Sequence, residues 1–342
     1  MKQIKLGLIG CGRISKNHFE AISQIPEAEF VAVADIIPSK AETAAKEYGI
    51  KSFYADYHEM LKKENLDAVS ICTPSGLHSQ IGVDVANSKA AVITEKPMGI
   101  SIQQADSLIH ACDQNNVPLF VVKQNRLNAT LQLLKRAVDK KRFGQIYVAQ
   151  SNVFWQRPQQ YYDAEKWRGT WEFDGGAFMN QASHYVDAIY WLLGSVDSVM
   201  AYTATLARNI EAEDSGSAIL HFRNGAIASI NVTMLTYPKN FEGSITIIGE
   251  KGTVKVGGVA VNKIEHWEFE EYDDDDRIVM DTNYQPPNIY GFGHNPYYRN
   301  VIDVLLGRDT PSTDGRDGRK SVEIIQAIYL SAKTGQRISL PL

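Results

Sequence analysis

Through the first third of the chain, short apolar runs end at a glycine, a polar turn or a charged residue. Residues 5–10, 30–34, 68–72, 91–94 and 119–122 have the continuous hydrophobicity of strands buried on both faces. Amphipathic stretches lie between them. One follows the turn at residues 10–15 and runs to Ile25. Another opens at Pro38 and closes at Gly49. A third follows Ser101, a cap for which Gln104 is the expected reciprocal partner. Strands alternating with helices predict a parallel sheet with right-handed crossovers. After Gly144 the pattern changes to alternation. Residues 146–154, 199–205, 217–222, 227–233, 244–248, 253–256 and 264–269 read as strands of an open, mainly antiparallel sheet. A single helix over 177–193 interrupts them, and helical patterns return at 295–306 and 321–333. The expected division is 1–123 and 124–342, with the last helices near the junction.

Composition narrows the classes. The chain has 342 residues, 44% of them hydrophobic and 22% charged, which suits a soluble globular protein. A formal net charge of -5 gives no support to nucleic-acid binding. No apolar stretch is long enough to span a bilayer, and the first residues enter a strand at once, leaving no room for a secretory signal. Cys11, Cys72 and Cys112 have neither disulfide nor zinc spacing. A cytoplasmic protein without a metal centre is the expectation. The acidic run at 270–276 reads as a solvated loop.

Candidate chemistry gathers where strands end. Gly10-Cys11-Gly12 follows the first strand and opens a helix, and Asp35 closes the second strand. Gly10 makes the tight turn and Gly12 admits a pyrophosphate to the backbone. Ser15 stands at the third glycine position, where a small residue packs helix on strand. The helix N-terminus favours phosphate. Asp35 can accept from both adenosine ribose hydroxyls and would repel a 2′-phosphate, so NAD is expected over NADP. This is a doubly wound Rossmann domain, with Gly10, Asp35, Thr73 and Glu95 along its carboxyl edge. Glu95-Lys96-Pro97 places an ionisable pair at a strand tip, where a lysine can take or steer a proton.

Gly10-Cys11-Gly12, Thr73-Pro74 with His78, and Glu95-Lys96-Pro97 resemble the glucose–fructose oxidoreductase and inositol dehydrogenase family. The resemblance covers essentially the whole chain. It implies an α/β enzyme with a Rossmann domain and a C-terminal α+β domain. It implies cofactor contacts at Arg13, Ile14, Asp35, Thr73, His78, Glu95 and Lys96, and at Gln124, where the chain leaves the fifth strand. Trp167 and Arg168 match a pair that lies against the nicotinamide end. Lys96 matches the lysine between nicotinamide and substrate.

The predicted helix at 177–193 carries Asn180 and His184, which at four residues apart share one face. Gly175 and Gly176 before it would let a ligand approach closely. The family pattern has aspartate where this chain has Asn180. Asparagine orients an imidazole without stabilising its charge, so Lys96 gains weight as the base. Stretches at 155–158, 178–184, 206–214, 234–240 and 259–267 are similar to the branch of the family that oxidises the C3 hydroxyl of UDP-N-acetylglucosaminuronate for surface polysaccharides. That resemblance implies Lys96, His184 and Asn180 as the catalytic group. It also implies Arg157, Tyr237 and Lys239 as further substrate contacts. A homo-oligomer through the C-terminal sheet is implied, and some relatives recycle NADH with 2-oxoglutarate. Two alternatives are another sugar or cyclitol dehydrogenase of the family and a non-catalytic NAD-binding regulator.

Overall fold

The computed structural model of the chain describes residues 3–285 and 291–342. Its contacts divide into Met1–Lys123 with His294–Arg319, and Gln124–Gly293 with Lys320–Leu342.

The first unit alternates strand and helix: β1 (Ile4–Ile9), α1 (Ser15–Ser23), β2 (Ala28–Ala34), α2 (Pro38–Tyr48), β3 (Ser52–Tyr54), α3 (Tyr57–Lys63), β4 (Ala68–Ile71), α4 (His78–Asn87), β5 (Ala91–Thr94), α5 (Ile102–Asn115) and β6 (Leu119–Val121). The strands pair in parallel in the order β3-β2-β1-β4-β5-β6. The order reverses between β1 and β4, which puts a binding crevice beyond their carboxyl ends. Buried Leu6, Leu8, Val69, Ile71, Val92 and Ile93 explain why the central strands read as unbroken apolar runs. The sequence reading missed β3, an edge strand of three residues without a fully buried side chain, and α3, which Asp56 caps through the His58 amide. Ser101 does cap α5 by accepting from the Gln104 amide. The reciprocal bond falls one residue earlier than expected, with Gln104 Oε1 accepting from the Ile100 amide at 2.8 Å.

The second unit contains α6 (Ala129–Asp139), β7 (Ile146–Phe154), α7 (Gln159–Asp163), α8 (Ser183–Leu193), β8 (Val196–Ala204), β9 (Ser215–Phe222), β10 (Ile227–Thr233), β11 (Glu242–Gly249), β12 (Gly252–Gly257) and β13 (Lys263–Phe269). With β14 (Ile338–Ser339) the strands form one sheet, β13-β12-β11-β7-β10-β9-β8-β14. Every pair is antiparallel except β7 with β10. Alternation sends Ala149, Val153, Ala218, Leu220, Ile230 and Val232 into the core. Val148, Ile219, Ile227 and Ile248 remain exposed on alternate positions. The acidic run is less solvated than its composition suggests. Asp273 caps a short 3₁₀ turn, and Asp273, Asp275 and Asp276 pair with Lys140, Arg136 and Arg142 at the end of α6 and beyond it. Their carboxyls lie below the usual range because those basic neighbours outweigh partial burial.

Two late helices follow, α9 (His294–Leu305) and α10 (Gly315–Thr334). Residues 294–319, expected with the second domain, cluster with the first unit. The physical reason lies in α9, whose Tyr297, Tyr298, Val301 and Ile302 are buried and which lies against α1. Among the described residues no helix is long and apolar enough to cross a membrane.

Candidate functional site

Within the first unit, Gly10 and Gly12 serve different ends. Gly10 has φ +94°, and a Cβ there would lie 2.8 Å from the Cys72 carbonyl, so the backbone of the neighbouring strand excludes any side chain. A Cβ on Gly12 would meet nothing within 4 Å. The loop is open on that side, as approach of a diphosphate requires. Ser15, 2% exposed, fills the third glycine position and ties the loop with its hydroxyl donating to the Gly12 carbonyl at 2.6 Å. Asp35 accepts from the Cys11 and Ile37 amides, each at 2.8 Å. Those bonds orient the carboxylate and leave lone pairs for ribose hydroxyls. Arg13 is exposed and Ile14 half-buried at the same loop.

Thr73 follows β4, and its Oγ1 is buried with no hydrogen-bond partner. A buried hydroxyl in that state calls for a ligand group or a water. Open space at Gly12, the start of α1, the oriented Asp35 carboxylate and the Thr73 hydroxyl together fit a dinucleotide. His78 acts as a clasp. Its Nδ1 lies 2.7 Å from the Pro97 carbonyl and its Nε2 2.8 Å from the Thr73 carbonyl. It thus joins the turn after β4 to the turn that carries Lys96. Burial lowers its pKa, against the two carbonyls, which favour a ring that donates from both nitrogens. Lys96 is half-buried beside buried Glu95 and Pro97. The Glu95 carboxylate turns inward, Oε1 meeting His18 Nε2 at 3.0 Å and Oε2 accepting from the Lys96 amide at 3.1 Å.

In the second unit the expected single helix at 177–193 is two segments. Ala177–Gln181 is a π-helical turn, closed by the Ala182 amide donating to the Ala177 carbonyl at 2.9 Å, and α8 begins at Ser183. Asn180 and His184 therefore do not lie on consecutive turns of one α-helix, and the shared-face argument fails there. A widened turn is common at functional sites. Gly176 before it does something other than admit a ligand. Gly176 has φ +93°, and a Cβ on it would lie 1.9 Å from Glu213 Oε2. The space a side chain would take belongs to the Glu213 carboxyl.

Glu213 organises this turn. Its Oε1 accepts from the Phe178 amide at 2.8 Å and its main-chain carbonyl accepts from the Ala177 amide at 3.2 Å. Burial pushes its carboxyl up to about 8, against the opposing hydrogen bonds from Phe178 and Tyr329. The Tyr329 hydroxyl lies 2.8 Å from Glu213 Oε1 and 2.5 Å from the Gly175 carbonyl, and its one proton is donated to one or the other. Asp174 sets a carboxylate beside Asn180. It accepts from Asn180 Nδ2, and from the Gly169 amide at 2.8 Å. Neither Asp174 nor Glu213 stands at a helical spacing from His184, so no periodicity marks them.

His184 is buried, with Gln124 Nε2 donating to its Nε2 at 3.1 Å. Gln124 belongs to a 3₁₀ turn, Gln124–Leu127, which Arg126 fastens to α8 through Asp187 with contacts of 2.7 and 2.8 Å. Arg157 lies over the Trp155 and Tyr161 rings at 5.2 and 5.3 Å and donates to Gln181 Oε1 at 3.1 Å. Arg168 covers the same Tyr161 ring at 4.2 Å and also lies over Trp167 at 5.6 Å. The guanidinium groups and aromatic rings do gather. Tyr237 (92% exposed) and Lys239 stand on an exposed loop, where the structure gives them no contact with Asn180 or His184. The 206–214 stretch closes on itself, with Asp214 accepting from the Leu206, Ala207 and Arg208 amides.

Two family descriptions match the chain. An oxidoreductase family NAD-binding Rossmann fold covers residues 4–123, and the C-terminal alpha/beta domain of the same family, GFO/IDH/MocA, covers 135–340. The chain is 55% identical to the WlbA dehydrogenase of Bordetella pertussis, solved with NADH and UDP-GlcNAcA, with a TM-score of 0.97 over 100% of this chain and 99% of that one. It is 54% identical to the WlbA dehydrogenase of Chromobacterium violaceum, also solved with NADH and UDP-GlcNAcA, with a TM-score of 0.95 over 100% and 97%. A D-apiose dehydrogenase of Paraburkholderia graminis is 26% identical over 99% of this chain and 90% of its own length.

Proposed function

The chain belongs to the GFO/IDH/MocA oxidoreductase family, and from that premise we propose that it oxidises the C3 hydroxyl of UDP-GlcNAcA to the 3-keto sugar with NAD+. The observation that carries this reading is full-length similarity, at 55% identity, to a dehydrogenase whose structure holds NADH and UDP-GlcNAcA. It is an NAD-dependent dehydrogenase acting on a nucleotide sugar.

The residues take these roles. Bound NAD+ supplies the hydride acceptor. Gly10, Gly12, Arg13, Ile14, Asp35 and Thr73 hold the dinucleotide, and Trp167 and Arg168 border its nicotinamide end. His78 and Glu95 act mainly by fixing the Lys96 turn. Lys96 accepts the hydroxyl proton as the C3–H bond gives up its hydride. His184 binds the hydroxyl, and Gln124 orients its ring. Asn180, held by Asp174, fixes a neighbouring sugar group. Positioned proton transfer typically contributes about 10²–10⁴-fold, and alignment of the reacting centres adds to it. Arg157 meets the uronate or the diphosphate, with Tyr237 and Lys239 as outer contacts. The exposed apolar row Val148, Ile219, Ile227 and Ile248 supports a homo-oligomer through the open sheet. The product feeds a cytoplasmic route to surface polysaccharide, and 2-oxoglutarate serves as the acceptor that restores NAD+.

Paired turnover assays on UDP-GlcNAcA and UDP-GlcNAc test the substrate class. Oxidation of the uronate alone is expected. Equal oxidation of both would remove the uronate from the recognition scheme.

A further inference from the structure

Behind the Lys96 turn lies a buried polar network. The second ring nitrogen of His18, Nδ1, meets the Tyr298 hydroxyl at 2.6 Å, and that hydroxyl lies 2.6 Å from Ser70 Oγ. His294 Nε2 approaches Glu95 Oε1 at 3.7 Å. His18, Ser70 and Tyr298 are fully buried, and Glu95 is 6% exposed. Four elements contribute: α1, β4, the end of β5 and α9. Burying such a network costs stability relative to an apolar filling, and Glu95, at its edge, is the chain neighbour of Lys96.

We propose that Glu95 is a positioning residue for Lys96. Its ionised carboxylate, locked by His18 and tied to the Lys96 amide, holds the lysine's turn and keeps a fixed negative charge behind it. The inference rests on Lys96 being the proton acceptor. In the reaction the substrate O–H bond breaks toward Lys96 Nζ and the C3–H bond breaks toward the nicotinamide. Glu95 takes no proton. Its charge favours the ammonium that forms.

The surroundings support a permanent charge. Burial alone would raise the Glu95 carboxyl, but the hydrogen bond with His18, with His294 facing it, holds it well below its ordinary value. Cys72, after β4, and Tyr297 and Tyr298 of α9 feel its charge, and burial pushes all three up, so they stay neutral. Burial lowers His294, and His78, which faces both Glu95 and Lys96, is lowered in the same way. His18, Glu95 and His294 are also metal-ligand types, with one atom of each within 4.8 Å of the others. An ion held at about 2.0–2.1 Å by both His18 and Glu95 would replace their 3.0 Å hydrogen bond.

The test reads Lys96 directly. Lysines of the full chain are ¹³C-dimethylated and titrated by NMR, with Lys96→Arg assigning the resonance, so no sugar is needed. In Glu95→Gln the Lys96 midpoint should fall by about one unit while NADH affinity is unchanged. The acid limb of kcat/KM should move the same way, with kcat down about 10–100-fold and KM little changed. Glu95→Asp keeps the charge but shortens the tie to the amide. It should lower kcat without moving the midpoint, and it decides the matter if Glu95→Gln does not fold. An unmoved midpoint in Glu95→Gln, a moved one in Glu95→Asp, or a loss confined to NADH binding and melting overturns the proposal. So does a stoichiometric metal whose removal reproduces the Glu95→Gln phenotype. A wild type inert toward UDP-GlcNAcA with the midpoint shift intact would overturn the substrate assignment and leave this inference standing.

Discussion

Replacing Arg126 with methionine strands the Asp187 carboxylate, which is 1% exposed and meets the guanidinium through two contacts of 2.7 and 2.8 Å. Methionine retains much of the stem that packs beside Trp191, over which the guanidinium lies at 5.5 Å. The loss is therefore mainly electrostatic. Removing one partner of a buried pair costs about 3–5 kcal/mol, because the remaining charge loses that partner where water does not reach it. At about 2–4 °C per kcal/mol for a unit of this size, the melting transition should fall by roughly 6–20 °C. Arg126→Met/Asp187→Leu removes both charges and should recover most of that loss, since an apolar pair of similar volume is often as stable. Circular dichroism melts and urea titrations of the four proteins of the cycle give the coupling energy. Activity adds a second readout. The same 3₁₀ turn carries Gln124, the orienter of His184, so Arg126→Met should also lower kcat at permissive temperature. A single variant that loses under about 1 kcal/mol, or a double variant as unstable as the single, would refute the stranded-charge argument.

Lys96→Ala should abolish turnover while NADH still binds, as followed by nicotinamide fluorescence; loss of both together would count against a catalytic role. Gly176→Ala forces a methyl into the Glu213 carboxyl, 1.9 Å away, at φ +93°. It should cost upwards of about 1–2 kcal/mol for the left-handed backbone alone and lower kcat, and a variant that melts with the wild type would show the crowding to be unimportant. The Glu213 carboxyl, pushed up to about 8 by burial, binds its proton more tightly folded than unfolded. It contributes stability that is complete below the ordinary carboxylate range and lost as pH rises through about 8. The slope is at most about 1.4 kcal/mol per unit. Urea midpoints should fall with pH across that window, and Glu213→Gln should flatten the fall. Asp174→Asn should reduce kcat more than it changes NADH affinity, because Asp174 holds Asn180 and has no part in the Rossmann unit; an effect only on NADH affinity would contradict that role.

What was readable in the sequence was whatever periodicity or a strand-end turn controls. The central Rossmann strands, the Gly10 turn, Asp35 and the Glu95-Lys96-Pro97 turn each sit where a buried run meets a polar or glycine break. The alternation of β7 to β13 likewise follows from a sheet with one face in the core. The π turn at Ala177–Gln181 was not readable, because its apolar content imitates a regular helix, and the tertiary bonds from Glu213 that hold it come from a distant loop. Asp174 stayed hidden because it stands at no helical spacing from His184. His18 and His294 carry no local signal, because they meet Glu95 only after α1 and α9 fold against one sheet. Composition captured the exposed part of the acidic run and not its ion pairs, since nothing local announces that Arg136, Lys140 and Arg142 face it.

The central claim is tested most directly by mixing the purified protein with NAD+ and UDP-GlcNAcA, with and without 2-oxoglutarate, and following the sugar nucleotide by mass spectrometry. The account predicts a product lighter by two hydrogens, formed to a greater extent when 2-oxoglutarate is present to restore NAD+. An unchanged sugar in both mixtures, with NAD binding shown intact, would contradict it.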